Sequence, residues 1–179
     1  MKENIEKELQ SVLDRAVASG EECGCQLAVF RDGKMLYHLF SGYADAAHTR
    51  KVNEKTLFPI FSVGKGILTT LFHILAEKGF ISPGDPVVRY WPEYGGRGKE
   101  KTLVRDILSH RSGLYGFPAG FSFFDWFDWE KAASALAGAE AADEIGGKHH
   151  YHAHTYGILL GHLLEKATGV PLEKLFREN

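Results

Sequence analysis

A serine and a lysine lie three residues apart in the segment 58–68, FPIFSVGKGIL. Apolar residues then recur at helical spacing, which predicts that a buried helix begins at this serine: Ile67, Leu68, Leu71, Phe72, Leu75 and Ala76. Residues three apart in a helix share a face, so the hydroxyl of Ser62 and the amine of Lys65 are expected to meet.

This pair has the chemistry of a nucleophile beside its base. A serine hydroxyl attacks a carbonyl efficiently only when a neighbouring group takes its proton, and a lysine does so only when it is neutral. Burial and the positive end of a helix both favour the neutral amine, and we expect both at Lys65. The free backbone N–H groups of the helix start are suited to hold an oxyanion. The spacing alone also fits a helix cap at Ser62 and a solvated Lys65.

Three further segments carry a resemblance to a known family. The stretch 24–45 looks like its first hairpin, residues 108–114 (LSHRSGL) are similar to its L-x-H-x-S-G-L loop, and residues 147–157 (GKHHYHAHTYG) look like the segment with its catalytic tyrosine. Together with the S-x-x-K spacing, the chain resembles the serine β-lactamase and penicillin-binding-protein superfamily. It is most similar to the class C-like branch, which includes β-lactamases, esterases and D-amino-acid peptidases.

The resemblance implies a catalytic role for Tyr151, which in that family shares in proton transfer beside the serine and the lysine. The family motif is Tyr-x-Asn, whereas Tyr151 is followed by His152 and Ala153. The amide of that asparagine helps to bind β-lactam drugs, so its absence implies an esterase-like or otherwise divergent activity. The alternative role for Tyr151 is that of a tyrosine at the edge of the core. Tyr156 is the second candidate for the catalytic tyrosine, although packing is its favoured role.

Histidines suggest two other kinds of site. The dense cluster of His149, His150, His152 and His154 raises a metal hypothesis, because imidazole is a common zinc ligand. The H-x-H-x-D-H pattern of a metallo-β-lactamase is absent, and no cysteine or acidic residue stands beside the cluster, so we predict no metal site. The serine hydrolase chemistry that the resemblance implies also requires no organic cofactor. His110 and Ser112 are residue types of a hydrolase, but hydrogen bonds that stabilise their turn are the favoured role.

The elements that must position these residues are mostly helices. Helices are predicted at 3–19, 62–78, 102–108, 129–142, 156–166 and 172–179, with Thr102 as the cap of the third. Strands 25–30 and 35–40 flank Asp32-Gly33, a strong hairpin signal. The aromatic-rich stretch 116–129 either lines an apolar pocket or covers a small core of its own. The predicted fold class is α+β, with helices packed around an antiparallel sheet as in the β-lactamase/transpeptidase-like fold.

Composition excludes several partners. The 179 residues are 44% hydrophobic and 25% charged, as in ordinary globular proteins, and the net charge of −2 offers no basis for binding nucleic acid. No apolar run is long enough to span a membrane, and the charged N-terminal residues do not form a signal peptide, so we predict a cytoplasmic location. Cys23 and Cys25 are predicted to be reduced, because a bridge between residues two apart in a strand is strained.

The resembled family also has a third motif, Lys-Thr-Gly or His-x-Gly, and further strands beside the hairpin. Neither follows Tyr151, so we expect residues 1–179 to form a single, truncated β-lactamase-like domain. Its partners would be a small ester or amide substrate and either a second chain or the missing C-terminal part. The predicted function is a serine hydrolase that forms an acyl-enzyme on Ser62. The alternative is a catalytically inactive truncated protein with a binding or assembly role.

Overall fold

The computed structural model describes residues 2–179, which group into two compact units. The first unit extends to Pro59 and the second comprises Ile60–Asn179. The prediction that the chain forms one domain stays a prediction.

The first unit is a helix packed on a β-hairpin. Helix α1 (Lys2–Ala18) precedes strands β1 (Gly24–Arg31) and β2 (Lys34–Gly42), which pair antiparallel. Asp32 and Gly33 connect them with φ angles of 51° and 72°, the left-handed conformation that a two-residue hairpin turn requires. Helix α1 packs against β2, where the Gln10 amide donates to the Phe40 carbonyl at 3.0 Å. The predicted hairpin is therefore confirmed.

The second unit consists of helices around one buried helix. Its helices are α2 (Val63–Glu77), α3 (Val104–Leu108), α4 (Trp129–Gly138), α5 (Thr155–Thr168) and α6 (Leu172–Glu178). Helix α5 packs against the other four, and nine of its residues are buried because apolar side chains lie on all of its sides. Gly169, with a φ of 71°, ends α5 in the left-handed conformation, as its sequence predicts.

Two of the helix boundaries that differ from the predicted ones are explained by specific hydrogen bonds. Helix α3 begins after Leu103, whose N–H donates to the Asp106 carboxylate at 2.9 Å, so the prediction that Thr102 caps it is wrong. Helix α4 ends at Gly138 rather than at residue 142, because the buried ammonium of Lys99 binds the carbonyls at its end. Lys99 Nζ donates to the Ala137 carbonyl at 3.0 Å and also to that of Ala139.

The architecture within the described residues is α+β, with one antiparallel hairpin followed by a helical unit, as predicted. No helix in residues 2–179 combines the length and the hydropathy that crossing a bilayer requires. The cytoplasmic location predicted from the N-terminal residues stays a prediction.

Candidate active site

Ser62 occupies the position immediately before α2, with its side chain exposed. Its φ and ψ angles are −69° and −8°, and its hydroxyl makes no capping hydrogen bond to the helix. The preceding residue, Phe61, has a φ of 42°, an unusual backbone conformation for a residue with a side chain. The hydroxyl is therefore free of a capping bond and available to Lys65.

Lys65 joins Ser62 to a segment far downstream. Its Nζ lies 3.1 Å from Ser62 Oγ and 2.7 Å from the carbonyl oxygen of Ala153, and its side chain is half-buried. The predicted contact between hydroxyl and amine is confirmed. Ala153, at the motif position where the resembled family has an asparagine, contributes its main-chain carbonyl.

Tyr151 lies beside this pair. Lys65 Nζ is 4.9 Å from the centre of the Tyr151 ring, and 56% of the Tyr151 surface is exposed. Polar contact with the Ser62 hydroxyl and, after it, with the Lys65 amine lowers the pKa of the Tyr151 phenol. The structure thus brings together all three residues singled out in the sequence.

One backbone donor remains free at this point. The N–H groups of Val63, Gly64 and Lys65 donate to the carbonyls three residues before them. Within the described residues, the Ser62 N–H makes no hydrogen bond. This N–H is therefore available to an oxygen atom brought to Ser62.

The Tyr151 segment is held by the loop that carries the L-x-H-x-S-G-L motif. The His110 carbonyl accepts from the His150 N–H, and His110 Nδ1 accepts from the His152 N–H, both at 3.1 Å. Ser112 Oγ lies 2.8 Å from Nε2 of the buried His152. Ser112 Oγ also accepts from the Leu114 N–H at 3.4 Å, a bond within its own turn as the sequence favoured. The other side-chain hydrogen bonds of His110 and Ser112 reach about 40 residues along the chain, which the sequence did not indicate.

Tyr156 packs, as favoured from the sequence. It is 2% exposed, and its hydroxyl lies 2.6 Å from Thr69 Oγ1 on α2, one turn after Lys65. Burial raises the pKa of this phenol. The hydrogen bond fixes α5 against α2 directly beneath the site, a role for Thr69 that no sequence signal indicated.

An apolar cavity of about 370 Å³ opens beside Lys65. Apart from Lys65, its lining contains no aspartate, glutamate, lysine or arginine. The other lining residues are Phe61, Gly64, Leu68, Trp126, Phe127, Ala153, His154, Gly157 and Ile158. Trp126 and Phe127 of the aromatic-rich stretch line this cavity, as one of the two alternatives predicted. Phe117 and Phe121 stack on each other against the main core of the second unit, so the other alternative, a small core of its own, is wrong.

The histidine cluster is dispersed in the structure. His150 pairs with Asp143 at 3.0 Å, His152 is buried against Ser112, and the His154 ring lies 4.3 Å from Trp126. In residues 2–179 no group of three or more histidine, cysteine or acidic side chains is arranged to hold a metal ion.

Comparison with known proteins defines the class. The family described as Beta-lactamase matches residues 9–179. An esterase/beta-lactamase, LipL of Mycobacterium tuberculosis, is 36% identical over 87% of this chain and 36% of its own length. The esterase EstB of Burkholderia gladioli is 30% identical over 92% of this chain and 46% of its own.

Solved structures agree with the sequence relatives. A family VIII carboxylesterase superposes with a TM-score of 0.91 at 30% identity, covering 97% of this chain and 47% of that one. A penicillin-binding-protein homologue from Caulobacter crescentus gives the same TM-score and identity over 96% of this chain and 46% of that one. The chain belongs to the Beta-lactamase family and has the β-lactamase/transpeptidase-like fold, and it spans less than half of the length of these relatives.

Proposed function

We propose that this chain carries the nucleophile, base and proton-transfer group of a serine hydrolase that cleaves a small ester or amide. The observation that carries the proposal is the 3.1 Å contact between Ser62 Oγ and Lys65 Nζ, with Tyr151 beside both. A hydroxyl, an amine and a phenol in mutual reach form the constellation that activates a serine for attack on a carbonyl.

In the acylation step, Ser62 Oγ attacks the carbonyl carbon while the Lys65 amine takes its proton, a step that uses the neutral form of the amine. The Ala153 carbonyl supports this arrangement, because it accepts one N–H of Lys65 at 2.7 Å and so orients the amine toward Ser62. The carbonyl oxygen of the substrate becomes an oxyanion, to which the free Ser62 N–H donates.

The leaving group departs with a proton from Tyr151, and the phenolate then recovers a proton from Lys65. A phenol with a lowered pKa is suited to this transfer, because its protonated and ionised forms are closer in energy. In the second step water attacks the acyl carbon and gives one proton to the same groups, which return it to Ser62 Oγ as the bond to the acyl group breaks and the carboxylic acid leaves.

The cavity supports an ester with an apolar group. Most of its lining is aromatic or aliphatic, and it holds no acidic group that would bind a cationic substrate. The relatives described as esterases agree with this choice, and so does Ala153, which offers no side-chain amide to a β-lactam. We therefore propose a neutral carboxylic ester as the preferred substrate.

The experiment is covalent labelling with a fluorophosphonate probe, read by intact mass. We expect one adduct on the native chain, none on Ser62→Ala, and an unchanged adduct on the control Ser134→Ala, an exposed serine of α4. An unlabelled but folded native chain would instead support the inactive alternative with a binding role.

Tyr151 is tested by replacement with phenylalanine. The hydroxyl lies on a residue that is more than half exposed, so its removal should leave the fold intact. Loss of a general acid–base group lowers kcat by roughly a hundredfold to ten-thousandfold. Hydrolysis of p-nitrophenyl butyrate measures this change, and full activity of Tyr151→Phe would remove Tyr151 from the mechanism.

A further inference from the structure

Tyr151 lies outside any helix or strand, in the irregular stretch between α4 and α5. Such segments are commonly mobile, and a phenol that transfers protons must remain within hydrogen-bonding reach of its partners. The position of Tyr151 beside Ser62 and Lys65 therefore depends on whatever holds its backbone.

His110 contacts this backbone on both sides of Tyr151. Its carbonyl accepts from the His150 N–H and its Nδ1 from the His152 N–H, both at 3.1 Å. The His110 ring also packs against two phenol rings, with centroid distances of 4.9 Å to Tyr151 and 4.8 Å to Tyr156. The His110 side chain thus contacts both the main chain next to Tyr151 and the Tyr151 ring.

The hydrogen bonds determine the protonation of both histidines. His110 Nδ1 accepts an N–H and must carry a lone pair, so the neutral ring has its proton on Nε2. His152 Nδ1 lies 2.6 Å from the His150 carbonyl, which can only accept. The Nε2 of His152 is therefore the acceptor for the Ser112 hydroxyl.

The surroundings favour the neutral form of His110. Burial is the main cause that lowers its pKa, and Lys65 and His149 act in the same direction when they carry a positive charge. The other titratable groups that face it are His152 and the phenols of Tyr151 and Tyr156. A second proton, on Nδ1, would remove the acceptor of the His152 N–H.

We propose that His110 is a positioning residue for Tyr151, and that its neutral ring holds the phenol beside Ser62 and Lys65. The inference deepens the proposed function and rests on it for its kinetic consequence only. Ser112 supports the same turn, because its hydroxyl fixes the ring of His152.

Two substitutions separate the acceptor from the ring. His110 has a φ of 59°, which asparagine tolerates better than other residues with a side chain. His110→Asn also places its amide oxygen where Nδ1 stood, so it keeps the acceptor and loses the titrating ring. His110→Leu removes the acceptor at similar bulk. His73→Asn, on the exposed side of α2, is the control.

The first measurement is the titration of the Tyr151 phenol by ultraviolet absorbance, taken as the difference from the same protein with Tyr151→Phe. We expect the lowered pKa of Tyr151 in the native chain, His110→Asn and His73→Asn, and a pKa closer to the ordinary value in His110→Leu. The second is kinetics, where a displacement of about 1 Å lowers kcat by up to roughly a hundredfold. We expect His110→Leu to lose kcat with KM changed less than about twofold.

A folded His110→Leu that titrates and turns over like the native chain would overturn the proposal, and so would His110→Asn behaving like His110→Leu. If His110→Leu does not fold, nitrogen-15 spectra of the native protein decide the matter, because a proton on Nδ1 of His110 at neutral pH contradicts the proposal. The titration needs no turnover. A chain that the probe does not label but that shows the expected titrations refutes only the proposed function. Normal labelling, together with a Tyr151 pKa in His110→Leu that is as low as in the native chain, refutes only this inference.

Discussion

Replacing Gly161 with alanine should destabilise the helical unit. Gly161 lies within α5, where an added Cβ would come 2.9 Å from both Leu172 Cδ2 and Trp129 Cη2. Glu165 restrains both neighbours, the Trp129 side chain through its ring nitrogen and Leu172 through its main chain. Its carboxylate accepts the Trp129 Nε1–H at 2.7 Å and the Leu172 N–H at 2.7 Å.

The magnitude follows from a comparison with Gly157, one turn earlier in the same helix, whose added Cβ would have no heavy atom within 4 Å. Alanine gains about 0.5–1 kcal/mol over glycine within a helix, and this gain applies to both variants. Overpacking costs typically 1–3 kcal/mol and applies only to Gly161→Ala. The two variants should therefore differ by about 1–3 kcal/mol, with Gly157→Ala at least as stable as the native chain.

Urea unfolding followed by tryptophan fluorescence measures this difference. The three tryptophans, Trp91, Trp126 and Trp129, all lie in the second unit, so the signal reports the unit that contains α5. With a urea slope of about 1–3 kcal/mol per molar, the midpoints should be separated by roughly 1 M. A Gly161→Ala variant as stable as Gly157→Ala would refute the steric reasoning.

Three further predictions concern buried charge, acid and the cavity. Lys99→Met should lower the free energy of unfolding by about 1.5–3 kcal/mol, because it removes a charged donor from buried carbonyls. The control Lys101→Met, at an exposed position, should change this free energy little. Equal urea midpoints for the two variants would contradict the prediction. Burial lowers the pKa of His152 and of His162, so the unfolded chain binds more protons than the folded chain at acidic pH. The free energy of unfolding that is present above about pH 6.5 should therefore decrease as the pH falls below that value. A urea midpoint that does not decrease between pH 7.5 and pH 5.5 would count against this. Phe127→Ala should raise KM for p-nitrophenyl butyrate more than for the acetate, because the longer acyl chain loses apolar contact in the cavity; equal changes for the two esters would place the acyl group elsewhere.

Much of the local structure follows from neighbouring residues. The Asp32-Gly33 turn, the left-handed Gly169 and the helix after Ser62 each depend on residues within a few positions of one another, so their patterns predict them. Where a distant group determines the end of a helix, the local pattern does not predict that end. Helix α4 stops early because Lys99, some 40 residues before that point, binds its last carbonyls.

The candidate site divides in the same way. The sequence by itself determined that Ser62 and Lys65 meet, because a spacing of three in a helix fixes their geometry locally. Only the tertiary structure decided that His110 holds the Tyr151 segment and that Thr69 bonds Tyr156. Those contacts join parts of the chain 42 and 87 residues apart, and their geometry depends on how α2, α3 and α5 pack, which no local pattern encodes.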